Sequence, residues 1–271
     1  MEIWGGVEPA LQSIATPGLD IWLYCQPFEG DLEGGDVHYV SLCGGGLITR
    51  IVVADVSGHG GSVAEFSRSL RSMVRKAINH KNQDRLVSEL NLRFSELAQL
   101  RRFATALVAT YLATTDRIAI CNAGHPSPLL YRARARAWSL AREFESAGSG
   151  EFTDLPLGLD EQTRYRSADY DLEPGDKLIF YTDALSEAAD PSGRMLGEQG
   201  LLELMGTLDI AADPAQLGKA LLEAVVRHRN HKAPDDDVTL VVLNHNAKPQ
   251  RRPGFAEKLD VYAKFFGIKD F

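Results

Sequence analysis

The chain has 271 residues, of which 44% are hydrophobic, so it can bury a sizeable core. It carries 29 basic and 37 acidic residues, a formal net charge of -8, and no segment concentrates lysine and arginine, so we expect no nucleic-acid partner. There is no signal pattern, no apolar run of about 18 residues and no metal-ligand spacing among the three cysteines, so we expect a cytoplasmic protein with reduced thiols and no membrane contact.

The first half of the chain predicts two β-hairpins with two amphipathic helices between them. Period-two apolar patterns bounded by glycine and proline indicate the strands, and apolar residues at helical spacing indicate the helices. After an irregular start over residues 1–17, the predicted elements are strands Leu19–Cys25, Val37–Cys43 and one ending at Asp55, helices Ser62–His80 and Asp84–Leu100, and strands Phe103–Ala113 and Arg117–Cys121.

The second half alternates loops, strands and helices. Predicted elements are a loop at Asn122–Pro128, a strand at Leu129–Tyr131, a polar loop at Glu143–Glu151, a strand at Lys177–Thr182, helices Leu201–Leu208 and Ala215–His228, and a strand at Val238–Leu243. We expect one domain over residues 18–247. Residues 1–17 form an N-terminal segment, and residues 248–271 form a basic linker and an amphipathic helix that docks on the domain or on a partner.

Acidic residues follow or precede several apolar strands. Asp55 ends the run Ile51–Ala54, and the hairpin should bring it beside Asp36, at the start of the paired strand. Asp183 ends another strand, and Asp236 or Asp237 precedes the last one. Any one of these is more often a turn or cap residue than a metal ligand. Their repetition favours a shared site.

Oxygen ligands without a histidine and cysteine cluster favour Mg²⁺ or Mn²⁺. Two such ions about 3.5–4 Å apart can lower the pKa of a water molecule and hold a phosphoryl group for attack. None of the three cysteines lies in a glycine-rich, arginine-terminated loop, so a thiolate nucleophile is not expected. The pattern therefore indicates hydrolysis of phosphate esters.

Several motifs in order extend this interpretation. They are Gly34-Gly35-Asp36, Ala54-Asp55-Val56-Ser57-Gly58-His59-Gly60, Asn122-Ala123-Gly124-His125-Pro126, Leu157-Gly158-Leu159, Tyr181-Thr182-Asp183 and Asp236-Asp237-Val238-Thr239. Over about residues 18–245 the chain resembles the PP2C-type bacterial Ser/Thr phosphatases of the stage II sporulation E and sigma-B regulator class. The resemblance implies an α+β fold, a four-layer αββα sandwich of two antiparallel sheets flanked by helices, with two Mn²⁺ or Mg²⁺ ions at one end.

The resemblance also implies a set of metal ligands. Asp55 corresponds to the ligand that bridges the two ions, helped by the backbone carbonyl of Val56. Asp183 and Asp236 correspond to ligands of one ion, and Asp36 supports the other through water. Asp236 is preferred to its neighbour because it lies three residues before a threonine.

Other residues are expected to act on or around this centre. Asp55, Asp183 and His59 are the candidate catalytic residues. His59 would act as a general acid toward the leaving alkoxide, or else be a loop histidine bonded to the backbone. Gly58, Asn122, His125 and Asp237 are expected to support the substrate or the loops, with the Asn122–Pro126 loop buttressing the site.

The chain departs from the family pattern at Ala184, where glycine usually follows the aspartate, and at Ser186, where threonine is common. The preferred function is a metal-dependent phosphoprotein phosphatase. Its implied substrate is a phosphorylated anti-sigma-factor antagonist in a partner-switching pathway, regulated by a separate protein, a homodimer or the C-terminal helix. Two alternatives stay open: a phosphatase-like binding module with little or no turnover, and a metal-dependent hydrolase of small phosphate esters.

Overall fold

The structure is a computed structural model that describes residues 2–58, 61–78, 80, 82–98, 102–142 and 154–246. Three predicted features lie outside the described residues: His59, the polar loop at Glu143–Glu151 and the C-terminal segment 248–271.

The described residues form twelve strands and five α-helices. The strands are β1 (Glu2–Gly6), β2 (Ala10–Thr16), β3 (Leu19–Gln26), β4 (Asp36–Cys43), β5 (Ile48–Val56), β6 (Ala104–Leu112), β7 (Arg117–Ala123), β8 (Leu129–Arg132), β9 (Ala137–Leu140), β10 (Ser167–Asp171), β11 (Lys177–Tyr181) and β12 (Val238–His245). The helices are α1 (Gly61–Ala77), α2 (Gln83–Ala98), α3 (Asp183–Ser186), α4 (Gly197–Met205) and α5 (Pro214–His228).

The strands form two six-stranded antiparallel sheets. The first sheet has the order β1-β4-β5-β6-β7-β10, and the second has the order β2-β3-β12-β11-β8-β9. Helices α1 and α2 pack on the outer face of the first sheet, and α3, α4 and α5 pack on the outer face of the second. The predicted fold class, a four-layer αββα sandwich with two antiparallel sheets, is therefore confirmed.

The strand β5 shows why the sequences of the central strands are apolar at nearly every position. Ile51 and Val53 point into the core between the two sheets, whereas Val52 and Ala54 point into the core beneath α1 and α2. Because successive side chains alternate between faces, a strand buried on both faces needs apolar residues at every position. The strand is buried from Ile48 to Ala54 and again at Val56, and Asp55 between them is partly exposed.

Helices α1, α2 and α5 begin one residue before the predicted positions, whereas α4 begins at Gly197, ahead of the predicted start at Leu201. In α1, Val63, Leu70 and Val74 face the first sheet, as their spacing predicts. Asp84, with which the sequence begins the second predicted helix, lies inside α2, and Asn82 Oδ1 caps the helix by accepting the N–H of Arg85. Within the described residues, none of the helices has the length and apolar character needed to cross a membrane.

The irregular start predicted for residues 1–17 is also wrong. β1 pairs with β4 at one edge of the first sheet, and β2 pairs with β3 at one edge of the second. In β2 most side chains are exposed, and the strand includes Gln12 and Ser13. An edge strand with so few buried residues lacks the apolar alternation on which a sequence-based prediction depends. We therefore extend the proposed domain to include β1 and β2.

The cysteines match the predicted role of core thiols in two of three cases. Cys25 and Cys121 are buried thiols, and Cys43 is a partly exposed thiol at the end of β4.

Candidate metal centre

Asp36 and Asp55 lie directly opposite each other on β4 and β5, as the predicted hairpin requires. Asp36 is 2% exposed, and β5 also places Asp55 opposite Thr105 on β6. Two carboxylates at paired positions of an antiparallel ladder have Cα atoms about 4.5–5.5 Å apart. The centre of the first sheet therefore ends in a pair of like-charged groups, one of them almost fully buried.

A buried threonine links this pair to the second sheet. Thr182 Oγ1 donates to Asp36 Oδ2 at 2.9 Å and accepts the backbone N–H of Thr239 at 2.9 Å. Thr182 is fully buried, directly before Asp183. The Tyr181-Thr182-Asp183 motif was recognised, but its threonine was not singled out, because the partner Asp36 is 146 positions away in the chain.

The electrostatics of the centre are dominated by burial and mutual repulsion. Burial, followed by Asp183, Asp236, Asp237 and Glu187, raises the pKa of Asp55 to about 7. Burial and then Asp55 raise the pKa of Asp36 well above its usual value, and burial and then Glu187 raise that of Asp183. Such carboxylates resist ionising together, and a bound cation is the usual relief.

The donor set fits a hard cation in its chemistry, because all of these side chains offer carboxylate oxygens. Over the described ranges, however, no three His, Cys, Asp or Glu side chains are grouped closely enough to hold a metal ion. The predicted acids thus lie close enough to shift one another's pKa values, at one end of the sandwich. The assignment of individual ligands stays a prediction.

Asp236 and Asp237 have different surroundings. Asp237 is 8% exposed, and its carboxylate accepts the backbone N–H groups of Phe28, at 2.6 Å, and of Gly35. Asp236 is exposed, and its Oδ1 accepts the N–H of Asp237 at 2.8 Å. Since the Asp237 carboxylate already holds two loops, Asp236 is the better placed of the two for a ligand and Asp237 for support.

The turn after β5 is tied to the start of β6. Ser57 N donates to Phe103 O at 2.9 Å, Phe103 N donates to Ser57 Oγ at 3.1 Å, and Arg102 Nη1 donates to Ser57 O at 2.6 Å. Gly58 has a φ of 101°, and a Cβ there would lie 2.6 Å from Arg102 Nη1. Only glycine suits both constraints. Arg102 was not found from the sequence, since no pattern marks it.

The Asn122–Pro126 loop contacts Thr105, the residue opposite Asp55. Asn122 Oδ1 accepts the N–H of His125 at 2.7 Å, and Asn122 Nδ2 donates to His125 O at 2.8 Å. His125 is 6% exposed, and its Nδ1 lies 2.8 Å from Oγ1 of Thr105, the residue opposite Asp55. Burial lowers the pKa of His125 to about 3. A buried, neutral histidine in these contacts suits a buttressing role better than proton transfer.

Ala184 lies in the short helix α3, and its φ is not positive. Its methyl group therefore imposes no backbone strain, because a helical φ is ordinary for alanine. The departure from the family's glycine leaves the turn that carries Asp183 intact.

Comparison with known proteins agrees with this architecture. Protein IcfG of Synechocystis sp. is 21% identical over 264 residues, 86% of this chain and 39% of IcfG. Phosphoserine phosphatase RsbU of Bacillus subtilis is 22% identical over 253 residues, 90% of this chain and 69% of RsbU. This chain thus spans well under half of IcfG and about two thirds of RsbU.

Among solved structures, the RsbU and RsbW domains of Rv1364c from Mycobacterium tuberculosis superpose with a TM-score of 0.71 and 26% identity, covering 88% of this chain and 63% of that one. The family described as stage II sporulation protein E (SpoIIE) matches residues 47–246, which hold all the acids discussed above except Asp36. The chain therefore belongs to the SpoIIE family of PP2C-type serine phosphatase domains.

Proposed function

We propose that this protein is a metal-dependent phosphatase that hydrolyses phosphoserine or phosphothreonine esters of a protein. The observation that carries the proposal is the Asp36 and Asp55 pair, placed opposite each other in the fold of a serine phosphatase family. Asp183, Asp236 and Glu187 add negative charge around it. A fold keeps such a costly arrangement when a ligand compensates it.

In this proposal two Mn²⁺ or Mg²⁺ ions would be held by Asp55, the carbonyl of Val56, Asp183 and Asp236, and Asp36 would support one of them through water. Bound there, the cations would supply positive charge for the phosphoryl group and lower the pKa of a water molecule.

The chain's own residues shape the rest of the site. Thr182 orients the Asp36 carboxylate by its 2.9 Å hydrogen bond, and the Asp237 carboxylate keeps the backbone of Gly35, directly before Asp36, in place. His125 and Asn122 support the strand opposite Asp55. For His59, proton donation to the leaving alkoxide and a purely structural role both stay open.

The substrate and setting are proposed from the relatives. RsbU is named a phosphoserine phosphatase, and the Mycobacterium tuberculosis structure joins an RsbU domain to an RsbW domain. We propose a phosphorylated anti-sigma-factor antagonist as substrate, in a cytoplasmic partner-switching pathway, with control by a regulatory protein or a homodimer. The segment 248–271, a basic linker and amphipathic helix by sequence, is proposed to take part in that control.

The test is phosphate release from an aryl phosphate and from a phosphoserine peptide, with Mn²⁺, with Mg²⁺ and with EDTA. We expect turnover that requires the metal and is lost in Asp183→Asn. Asp171→Asn is the matched control, because its side chain is 87% exposed and it pairs with Arg117, at the end of β7 away from Asn122. Metal-independent turnover, or full activity of Asp183→Asn, contradicts the proposal.

The same assay, together with unfolding measured with and without Mn²⁺, separates the two alternatives. Stabilisation by Mn²⁺ without turnover of either substrate would favour the binding module. Turnover of small esters with none of any phosphopeptide would favour the small-ester hydrolase.

A further inference from the structure

A groove of about 410 Å³ opens beside the candidate metal centre. One wall is the loop after β3, Gln26–Gly30, and the other is the loop before β12, Lys232–Asp236. We call it the side groove. Asp236, the candidate ligand, belongs to its lining and acts on the charge of Asp55, so the groove adjoins the proposed ligand set. One extended residue spans about 3.3–3.6 Å, so a protein substrate whose phosphate reaches the centre can place neighbouring residues here.

The first wall is held by a buried carboxylate. Asp237 accepts the N–H of Phe28 at 2.6 Å, and the same carboxylate accepts the N–H of Gly35. Pro27, next to Phe28, is buried and has a fixed φ. The wall is therefore anchored to the residues that carry Asp36 and Asp236.

The second wall is held by a buried cation. The Arg229 side chain is 5% exposed, and its guanidinium donates to the carbonyls of Lys232, at 3.3 Å, and Ala233, at 2.6 Å. It also donates to Asp235 Oδ2 at 2.8 Å. Both walls are thus ordered before any ligand arrives, which lowers the entropic cost of binding a flexible chain.

The lining combines apolar surface with negative charge. Pro27, Phe28, Ala233 and Pro234 contribute apolar atoms, and the charged residues are Glu29, Asp235, Asp236 and Lys232. Lys232 Nζ lies 2.9 Å from Asp235 Oδ1, and Asp235 also pairs with Arg229. Glu29 is exposed and is not one of the proposed metal ligands, so it presents negative charge to a bound chain when the ions are in place.

We infer that the side groove binds the segment of the phosphoprotein substrate next to the phosphorylated residue, and that this segment carries a basic side chain opposite Glu29. The inference rests on the proposed phosphatase function and adds a chemical class to its substrate. Its grounds are the continuity of the groove with Asp236, the preformed walls and the complementary charge.

The experiment uses the full chain with Mn²⁺ and two phosphoserine peptides that differ only in flanking lysine or glutamate, with an aryl phosphate as the substrate that has no flank. We expect kcat/KM for the lysine peptide to exceed that for the glutamate peptide about two- to fivefold, as one exposed ion pair allows. Raising the salt concentration should shrink the ratio.

Glu29→Lys should abolish or reverse this preference. Glu96→Lys makes the same charge change at an exposed site on α2, which covers the other sheet, and should retain it. Glu29 has a φ of 51°, so Glu29→Gly removes the charge in a conformation that glycine favours. If Glu29→Lys does not fold, Glu29→Gly takes its place, and it should lower the ratio of kcat/KM for the lysine and glutamate peptides to about one.

Two results would overturn the inference in different ways. Turnover of the aryl phosphate with equal kcat/KM for the two peptides, or an unchanged ratio in the Glu29 variants, would refute the side groove as a docking site and leave the phosphatase function standing. Failure to hydrolyse the aryl phosphate and both peptides would overturn the proposed function and the docking role together.

Discussion

Replacing Asp55 by asparagine should stabilise the metal-free protein at pH 8. Burial and neighbouring carboxylates raise the pKa of Asp55 to about 7, whereas an unfolded aspartate has a pKa of about 3.9. The folded protein therefore binds this proton more tightly than the unfolded chain, so its stability falls as the pH rises from about 4 to about 7. Three pKa units correspond to ~4 kcal/mol. Asparagine does not ionise, so Asp55→Asn should raise the free energy of unfolding by up to ~4 kcal/mol at pH 8 and leave it unchanged near pH 4.

Metal should narrow that difference in stability. A ligand that binds only the folded state adds ~2.7 kcal/mol of stability at a hundredfold excess over its Kd. The wild-type chain should gain this with Mn²⁺, whereas Asp55→Asn, which lacks the proposed bridging carboxylate, should gain little. The variant is thus expected to be the more stable protein in EDTA and the one with the smaller response to metal.

The assay is urea unfolding at pH 4 and pH 8, in EDTA and in Mn²⁺. Asp176→Asn is the control, because that buried carboxylate accepts Arg132 Nη1 at 2.8 Å and the N–H of Ala133 at 2.8 Å. The same chemical change there should destabilise the protein in both buffers. If Asp55→Asn is less stable than wild type in EDTA at pH 8, the repulsion argument is wrong. An equal gain from Mn²⁺ in both proteins would show that Asp55 is not a ligand.

Three further substitutions test separate parts of the structure. Gly218→Ala should lower the urea midpoint, because a Cβ at this position would overlap the Trp22 ring and overpacking costs ~1–3 kcal/mol. This cost exceeds the ~1 kcal/mol by which alanine is preferred to glycine in a helix. A higher midpoint would contradict this packing. Burial keeps His125 neutral in the folded protein, so the free energy of unfolding falls as the pH falls from about 6.5 toward about 3, where the unfolded chain binds a proton and the folded protein does not. His125→Gln should reduce this pH dependence by up to ~1.4 kcal/mol per pH unit. Wild type and variant with the same dependence of unfolding free energy on pH would disprove the prediction. Gly58→Ala should weaken Mn²⁺ binding, measured by titration, because alanine is strained at a φ of 101° and its methyl group would displace the Arg102 guanidinium; unchanged affinity argues against a role for this turn.

Much of the fold could be predicted because its signals are local. The hairpin that sets Asp36 opposite Asp55 needs only two apolar runs and a glycine turn, and the structure confirms that pairing. The amphipathic spacing of α1 and the start signal of α5, Asp213 before Pro214, also involve residues within a few positions of one another. Signals of this range survive in the sequence because neighbouring residues meet whatever the rest of the chain does.

Edge strands and loop anchors were harder to predict. β2 carries exposed polar side chains and becomes a strand only because β3 offers it hydrogen-bonding partners. The different surroundings of Asp236 and Asp237 depend on the N–H groups of Phe28 and Gly35, about two hundred positions away in the chain.

By itself, the sequence determined the class of fold, the strands that carry the acids and the family to which they belong, because alternation, turns and motif order are properties of short segments. The tertiary structure alone decided which acids are buried, how Thr182 joins Asp36 to the second sheet and where the side groove opens. Those features depend on distances between residues far apart in the chain, and such distances exist only once both sheets have packed together.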